Sequence, residues 1–166
     1  EDQYMNAIDF LKGKIADGFI RQVKGNSYSE SLVNGDATAV IGWSGDLFIL
    51  KSENDGKFDF AIPESGGMLW SDNMLVPSTS THKKNAELLM NHYYDPAVAA
   101  EVAAYVNYIC PVEAAQPELE KIDPDLAASP YIFPDEATLA KVKVFRSLTA
   151  DESTKFQTAF DEAVGN

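Results

Sequence analysis

The sequence predicts a mixed α/β protein, and three observations carry that prediction. Residues 1–18 repeat apolar side chains at helical steps, with Tyr4, Ile8, Leu11 and Ile15 on one face. Residues 37–43, ATAVIGW, form a β-rich run continuous enough in apolar side chains for a buried strand. Asp95 followed by Pro96 gives a helix N-cap with proline at the first helical position. With 166 residues and 45% hydrophobic content, the chain can bury a core and suits one domain or one part of a larger protein.

Taken in order, residues 1–18 read as an amphipathic helix already under way, as in a chain that starts inside a longer polypeptide. A turn at residues 25–28 leads to a short helix over 28–34, whose end is marked by Asn34 and Gly35. The buried strand over 37–43 follows, and residues 45–53 fit either a helix or a strand. Residues 58–63 form a strand closed by Pro63, and 64–67 form a turn. Residues 69–77 read as another strand, interrupted by Ser71, Asp72 and Asn73. A buried strand rarely accepts three polar residues without a reason.

Helices dominate the remainder. Ser80 or Thr81 caps a helix running through Lys84, Leu88 and Met90 to Tyr94, and the Asp95-Pro96 helix runs to about Val106. After Tyr108, four prolines between Pro117 and Pro134 exclude long helices, which predicts a wrapping connection with one short helical piece. The last helix starts at Thr149, with Glu152 completing a capping box and Phe156, Phe160 and Val164 on one face.

Composition narrows the function. Twenty-six acidic residues against thirteen basic ones give a net charge of −13, which repels nucleic acid and anionic membrane surfaces and weakly attracts cations. A single cysteine, Cys110, forbids an internal disulfide and reads as structural. No apolar run approaches the roughly 20 residues that span a bilayer, and no signal-peptide pattern is present. His82 and His92 stand ten residues apart, without metal-ligand spacing, so no metal site is expected. No phosphate loop, dinucleotide fingerprint or nucleophile elbow occurs, and nothing calls for a cofactor or a catalytic residue.

The two tryptophans stand out instead. Trp43 in VIGWSGD and Trp70 in GGMLWSDN each close an apolar stretch and are each followed within three residues by an aspartate. An indole face beside a carboxylate suits an organic ammonium, because the ring attracts the cation and packs on its methylenes while the carboxylate accepts its N–H bonds. The competing account is packing, since a tryptophan that closes a strand is most often a core residue.

At this point the residues carry a resemblance. The order IGWSGD, IPESGGMLWSDNMLVP, KNAELLMNHYYDPAVAAEVAAYVNYICPVEAA and YIFPDEATL resembles the C-terminal half of bacterial spermidine/putrescine-binding proteins, the solute receptors of polyamine ABC transporters. Its most specific part is P-x-x-G-G-x-x-W-x-D-x-x-x-x-P, realised by Pro63, Gly66, Gly67, Trp70, Asp72 and Pro77.

The resemblance implies a periplasmic-binding-protein-like (type II) lobe, a mixed sheet flanked by helices, within an incomplete two-lobe receptor. Residues 1–70 and 116–166 would form the C-terminal lobe, and 71–115 would cross the hinge to the N-terminal lobe. It implies a polyamine held by Trp43 and Trp70 as aromatic walls, Asp72 as carboxylate and Tyr108 lining the cleft, with Phe145 or Arg146 where the family has a glutamine. Arg146 in the cleft would instead favour an anion, so another small solute is the alternative within the class. A carboxylate-dependent glycosidase using a pair such as Glu64 and Asp72 is the alternative outside it. The implied setting is periplasmic or extracytoplasmic, either free or lipid-anchored, with ABC permease subunits as partners and no nucleic acid. Residues 82–107 would expose Leu88, Leu89, Val98 and Val102, a surface that would pack on a second chain in self-association, repack, or mark the chain as a piece whose other half is missing.

Overall fold

The computed structural model describes residues 1–165 and divides them into two compact units, one made of Glu1–Thr38 with residues 146–165 and the other of Ala39–Phe145. The first unit is built on two long helices from opposite ends of the sequence. Helix α1, Asp2–Ala16, carries the predicted apolar face, of which Ile8 is buried. Helix α9, Ala150–Val164, presents Phe156, Ala159 and Ala163 to it, with Tyr4, Met5, Leu11 and Phe160 closing the sides. Glu1 meets Lys155, Tyr4 stacks on Phe156 at 4.1 Å between centroids, and Lys12 lies 3.8 Å from Glu162, so the two helices run in the same direction. The Tyr4 hydroxyl also donates to the Phe156 carbonyl at 3.0 Å, which satisfies its polar end while the ring stays packed.

The start of α9 follows the predicted capping box. Thr149 Oγ1 accepts from the Glu152 amide at 3.2 Å, and the Thr149 amide donates back to Glu152 Oε2 at 2.9 Å. Arg146 then grips the same carboxylate with both guanidinium nitrogens, at 2.8 and 3.1 Å. This fork holds the Glu152 carboxyl down to about 2, with the arginine as the largest cause and the Thr149 amide next. The short helix α2, Tyr28–Val33, lies between these long helices in sequence and ends at Asn34 as expected, with Tyr28 and Leu32 buried.

The second unit holds the remaining elements: α3 Ser44–Glu53, β1 Gly67–Leu69, α4 Lys83–Tyr93, α5 Pro96–Val106, a 3-10 turn at Glu113–Ala115, α6 Gln116–Ile122, α7 Pro124–Ala127, α8 Glu136–Leu139 and β2 Val142–Val144. Its core lies where α5 meets α6 and α7. Ala99, Ala100 and Ala103 put only methyl groups on the inner face of α5, so Leu119 and Ile132 approach closely and are fully buried. Cys110 sits in the same core, where burial pushes its thiol above the usual range. A structural role is what this placement gives it.

Three strand expectations are corrected. Residues 37–43 and 58–63 are irregular, and the strand expected over 69–77 is reduced to β1, which begins earlier and stops at Leu69. A strand needs a neighbour to take its backbone hydrogen bonds, and among the described residues only β1 and β2 find one, in a two-stranded parallel ladder with Gly67 opposite Val142 and Leu69 opposite Val144. Ile41, expected in a buried strand, is fully exposed. Residues 45–53, ambiguous from sequence, belong to a helix.

Two further details depart from expectation. Helix α4 starts at Lys83 with His82 as its cap residue, while Ser80 Oγ accepts from the His82 amide at 3.2 Å and so shapes the turn before the helix. The proline-rich segment contains several short helical pieces where one was expected, each opened by an aspartate or a proline: Asp123 Oδ1 caps α7 and Asp135 Oδ1 caps α8. The Asp95-Pro96 start of α5 is as predicted, with Asp95 Oδ1 accepting from Ala97 at 3.0 Å. Leu88 and Leu89 on α4 are exposed, whereas Val98 and Val102 are half-buried because α5 packs within its own unit.

Candidate functional site

Within the second unit, the two tryptophans expected as ligand walls lie together with Tyr108, expected to line the cleft. Trp43 is the cap residue of α3 in an extended conformation, so the chain turns into the helix with the indole at its mouth. Trp70 directly follows β1. Its ring meets Trp43 edge to face at 5.4 Å and Tyr108 edge to face at 5.8 Å, which makes Trp70 the middle member of the row. Such geometry sets the positive edge of one ring against the negative face of the next, and here it leaves Trp43 44% and Trp70 41% exposed. Aromatic surface at this level of exposure is available to a ligand.

Tyr108 reaches the row through the end of α5. Asn107 adopts a left-handed conformation, φ 57°, and its amide donates to the Ala103 carbonyl, which stops the helix and redirects the chain one residue before Tyr108. The Tyr108 hydroxyl donates to Asp46 Oδ1 at 3.1 Å. Partial burial, and then the bond to this carboxylate, push the phenol up to about 12, so it remains a donor at any physiological pH. The ring itself lies against the backbone of Gly45, the residue before Asp46.

Asp46 is the aspartate that follows Trp43 in the sequence. It stands in the first turn of α3, where an acidic side chain interacts favourably with the helix N-terminus. Its partner Tyr108 lies 62 residues away in sequence, so the only local signal was the repeat of an aspartate close behind each tryptophan. Asp72, the aspartate after Trp70, is exposed. The structure therefore joins Trp43, Trp70, Tyr108 and Asp46 through direct contacts and presents Asp72 to solvent two residues beyond the central ring.

Phe145 and Arg146, the positions where the resembled family has a glutamine, fall in different units. Phe145, one residue past β2, is 77% exposed. Arg146 belongs to the first unit, and its guanidinium is engaged by Glu152. Among the described residues, no group of three or more His, Cys, Asp or Glu side chains is arranged to hold a metal ion.

What β1 does for the row is hold Trp70 in place. Gly66 has φ +100°, and its amide closes a turn on the Pro63 carbonyl at 2.9 Å. A side chain at residue 66 would lie 2.7 Å from the Lys141 carbonyl oxygen, so glycine is required both for the turn and for the close approach to the segment leading into β2. The turn and ladder fix the direction of the chain entering Trp70.

Comparison with known proteins decides the class. A family described as bacterial extracellular solute-binding protein matches residues 2–134. The chain belongs to this family. It is similar to the putrescine-binding periplasmic protein of Escherichia coli K12, at 28% identity over 128 residues, covering 74% of this chain and 34% of that protein. It is also similar to the putrescine/agmatine-binding protein of Pseudomonas aeruginosa PAO1, at 25% identity with the same coverage, and to the spermidine/putrescine-binding periplasmic protein 1 of Haemophilus influenzae, at 24% identity over 64% of this chain and 28% of that protein. The chain thus spans about a third of the length of these relatives. The family and the relatives named here are all described as binding proteins. No helix among the described residues is long and apolar enough to cross a membrane.

Proposed function

We propose that this chain forms part of the extracytoplasmic receptor of an ABC importer, and that the row Trp43, Trp70 and Tyr108, with Asp46 and Asp72, is one wall of its site for a short polyamine such as putrescine. The observation that carries this reading is the run of three edge-to-face rings ending on a carboxylate. A polyamine is a flexible chain with a cation at each end, so its site must offset lost torsional freedom and the desolvation of each ammonium. Aromatic faces contribute about 0.5–2 kcal/mol per cation–π contact and also pack on the methylenes, while a carboxylate accepts the N–H bonds at a charged end. The relatives named above bind putrescine, agmatine or spermidine, which supports the same chemistry here.

On this reading the fold is a type II binding-protein lobe in an incomplete two-lobe receptor, with residues 1–70 and 116–166 in one lobe and 71–115 crossing toward the other. Closure over the ligand would exclude water, strengthen both kinds of contact and mark the loaded form for the permease. The exposed Leu88 and Leu89 would then meet the rest of the receptor. An anionic ligand is disfavoured because Arg146, the cation it would require, is already neutralised by Glu152.

The test is calorimetry and tryptophan fluorescence with putrescine, spermidine and a neutral diol of matching length, on this chain and on the receptor that contains it. Both tryptophans of the chain lie in the proposed wall, so its emission reports on the wall alone. The receptor should bind the diamines and ignore the diol, this chain alone should bind weakly, and Trp70→Ala or Asp72→Ala should each weaken receptor binding by about 10-fold or more, near 1.4 kcal/mol. Equal affinity for diamine and diol, or parent-like affinity in both variants, would refute the assignment.

A further inference from the structure

Gly45 has no conformational reason to be glycine. It is the second residue of α3, it carries no positive φ, and alanine is the better helix former at such a position. What it faces is Tyr108. A methyl group built on Gly45 would lie 2.3 Å from Tyr108 Cε2 and 2.6 Å from Cδ2 and Cζ, far inside contact distance. These atoms belong to the body of a ring whose hydroxyl is hydrogen-bonded to Asp46 and whose edge meets Trp70, so the ring cannot yield without giving up one or both contacts.

We propose that Gly45 is a positioning residue of the binding wall: its bare backbone is the seat for the Tyr108 ring, and through that seat it sets both the Tyr108 to Asp46 hydrogen bond and the row of rings against Trp70. Gly45 and Asp46 then act as one receptor for a tyrosine, one residue taking the ring and the next the hydroxyl. This inference rests on the polyamine reading only for its effect on affinity. The packing it describes stands independently.

The experiment is a cycle of Gly45→Ala, Tyr108→Ala and the double variant, with thermal unfolding and tryptophan emission read on the chain and putrescine affinity read on the receptor containing it. With Tyr108 present, Gly45→Ala should lower the unfolding midpoint and shift the emission of the Trp43–Trp70 pair. With Tyr108→Ala already in place, it should leave the midpoint unchanged or raise it, as expected of alanine in a helix. Measured well below the midpoint, putrescine affinity should fall at least 10-fold in Gly45→Ala and fall no further when it is added to Tyr108→Ala. A purely structural glycine would lower the midpoint in both backgrounds and leave affinity alone, and either result overturns the inference. If the parent receptor binds no putrescine, the functional reading fails while the stability and emission arms still decide the role of Gly45.

Discussion

Replacing Trp70 with alanine should destabilise the second unit by about 3–5 kcal/mol. The indole is 41% exposed, so of a tryptophan's roughly 250 Å² about 150 Å² is withdrawn from water, worth up to ~3–4 kcal/mol at ~25 cal/mol per Å². Two edge-to-face pairs, to Trp43 and Tyr108, account for about 0.5–1.5 kcal/mol each beyond area. The wall is open to solvent on one side, so water enters the vacated volume and the penalty of a sealed cavity does not arise. The expected loss is the area term, less ~10–40% for burial already present in the unfolded chain, plus the two ring pairs. Urea unfolding followed by circular dichroism measures it, and a double-variant cycle with Tyr108→Ala should return a coupling of about 0.5–1.5 kcal/mol. Leu75→Ala, at a side chain 84% exposed, serves as the control and should change stability by less than ~0.5 kcal/mol. Strict additivity of Trp70→Ala and Tyr108→Ala would refute the reasoning, because it would mean that the two rings do not touch in solution.

Three other outcomes are expected. Leu119→Ala removes a fully buried side chain between α5 and α6 and should cost about 2–5 kcal/mol in chemical unfolding, more than Ile122→Ala on the exposed face of the same helix. Gly66→Ala must accept φ +100° and a contact with the Lys141 carbonyl, so it should lower the unfolding midpoint and lengthen the Trp70 emission wavelength, whereas Gly56→Ala meets nothing and should change only the former. The forked Arg146–Glu152 pair stabilises the start of α9 fully above the ordinary glutamate value of 4.5, and its contribution is lost as pH falls from there through about 2. The midpoint difference between the parent and Glu152→Gln should therefore shrink over that window, and a difference that stays constant would show that the pair does not form.

The parts of the fold that could be read from sequence are those decided by neighbours within one helical turn. The faces of α1 and α9, the Asp95-Pro96 start of α5 and the Thr149–Glu152 capping box are all of this kind. The strands could not be read this way, because pairing depends on a partner elsewhere. Residues 37–43 have the composition of a strand and remain irregular, while the short alternating run Val142–Val144 pairs because the turn at Gly66 brings β1 beside it. Helix α3 was ambiguous because Leu47, Phe48, Ile49 and Leu50 are apolar on every side, so periodicity carries no information there. The site shows the same division. Trp43, Trp70 and Tyr108 came from composition and resemblance, but the functions of Gly45 and Asp46 depend on a tyrosine more than sixty residues away and emerge only in three dimensions.

The same-direction pairing of α1 and α9 has a consequence for how the chain is made. Every contact of that pair joins residues separated by the whole of the second unit, so α1 leaves the ribosome without the surface that Ile8 and Tyr4 need. At ~5–20 residues per second, the 133 residues between α1 and α9 take about 7–27 s to synthesise. Through that interval the apolar face of α1 lacks the partner it has in the folded unit, and the arrival of α9 supplies it.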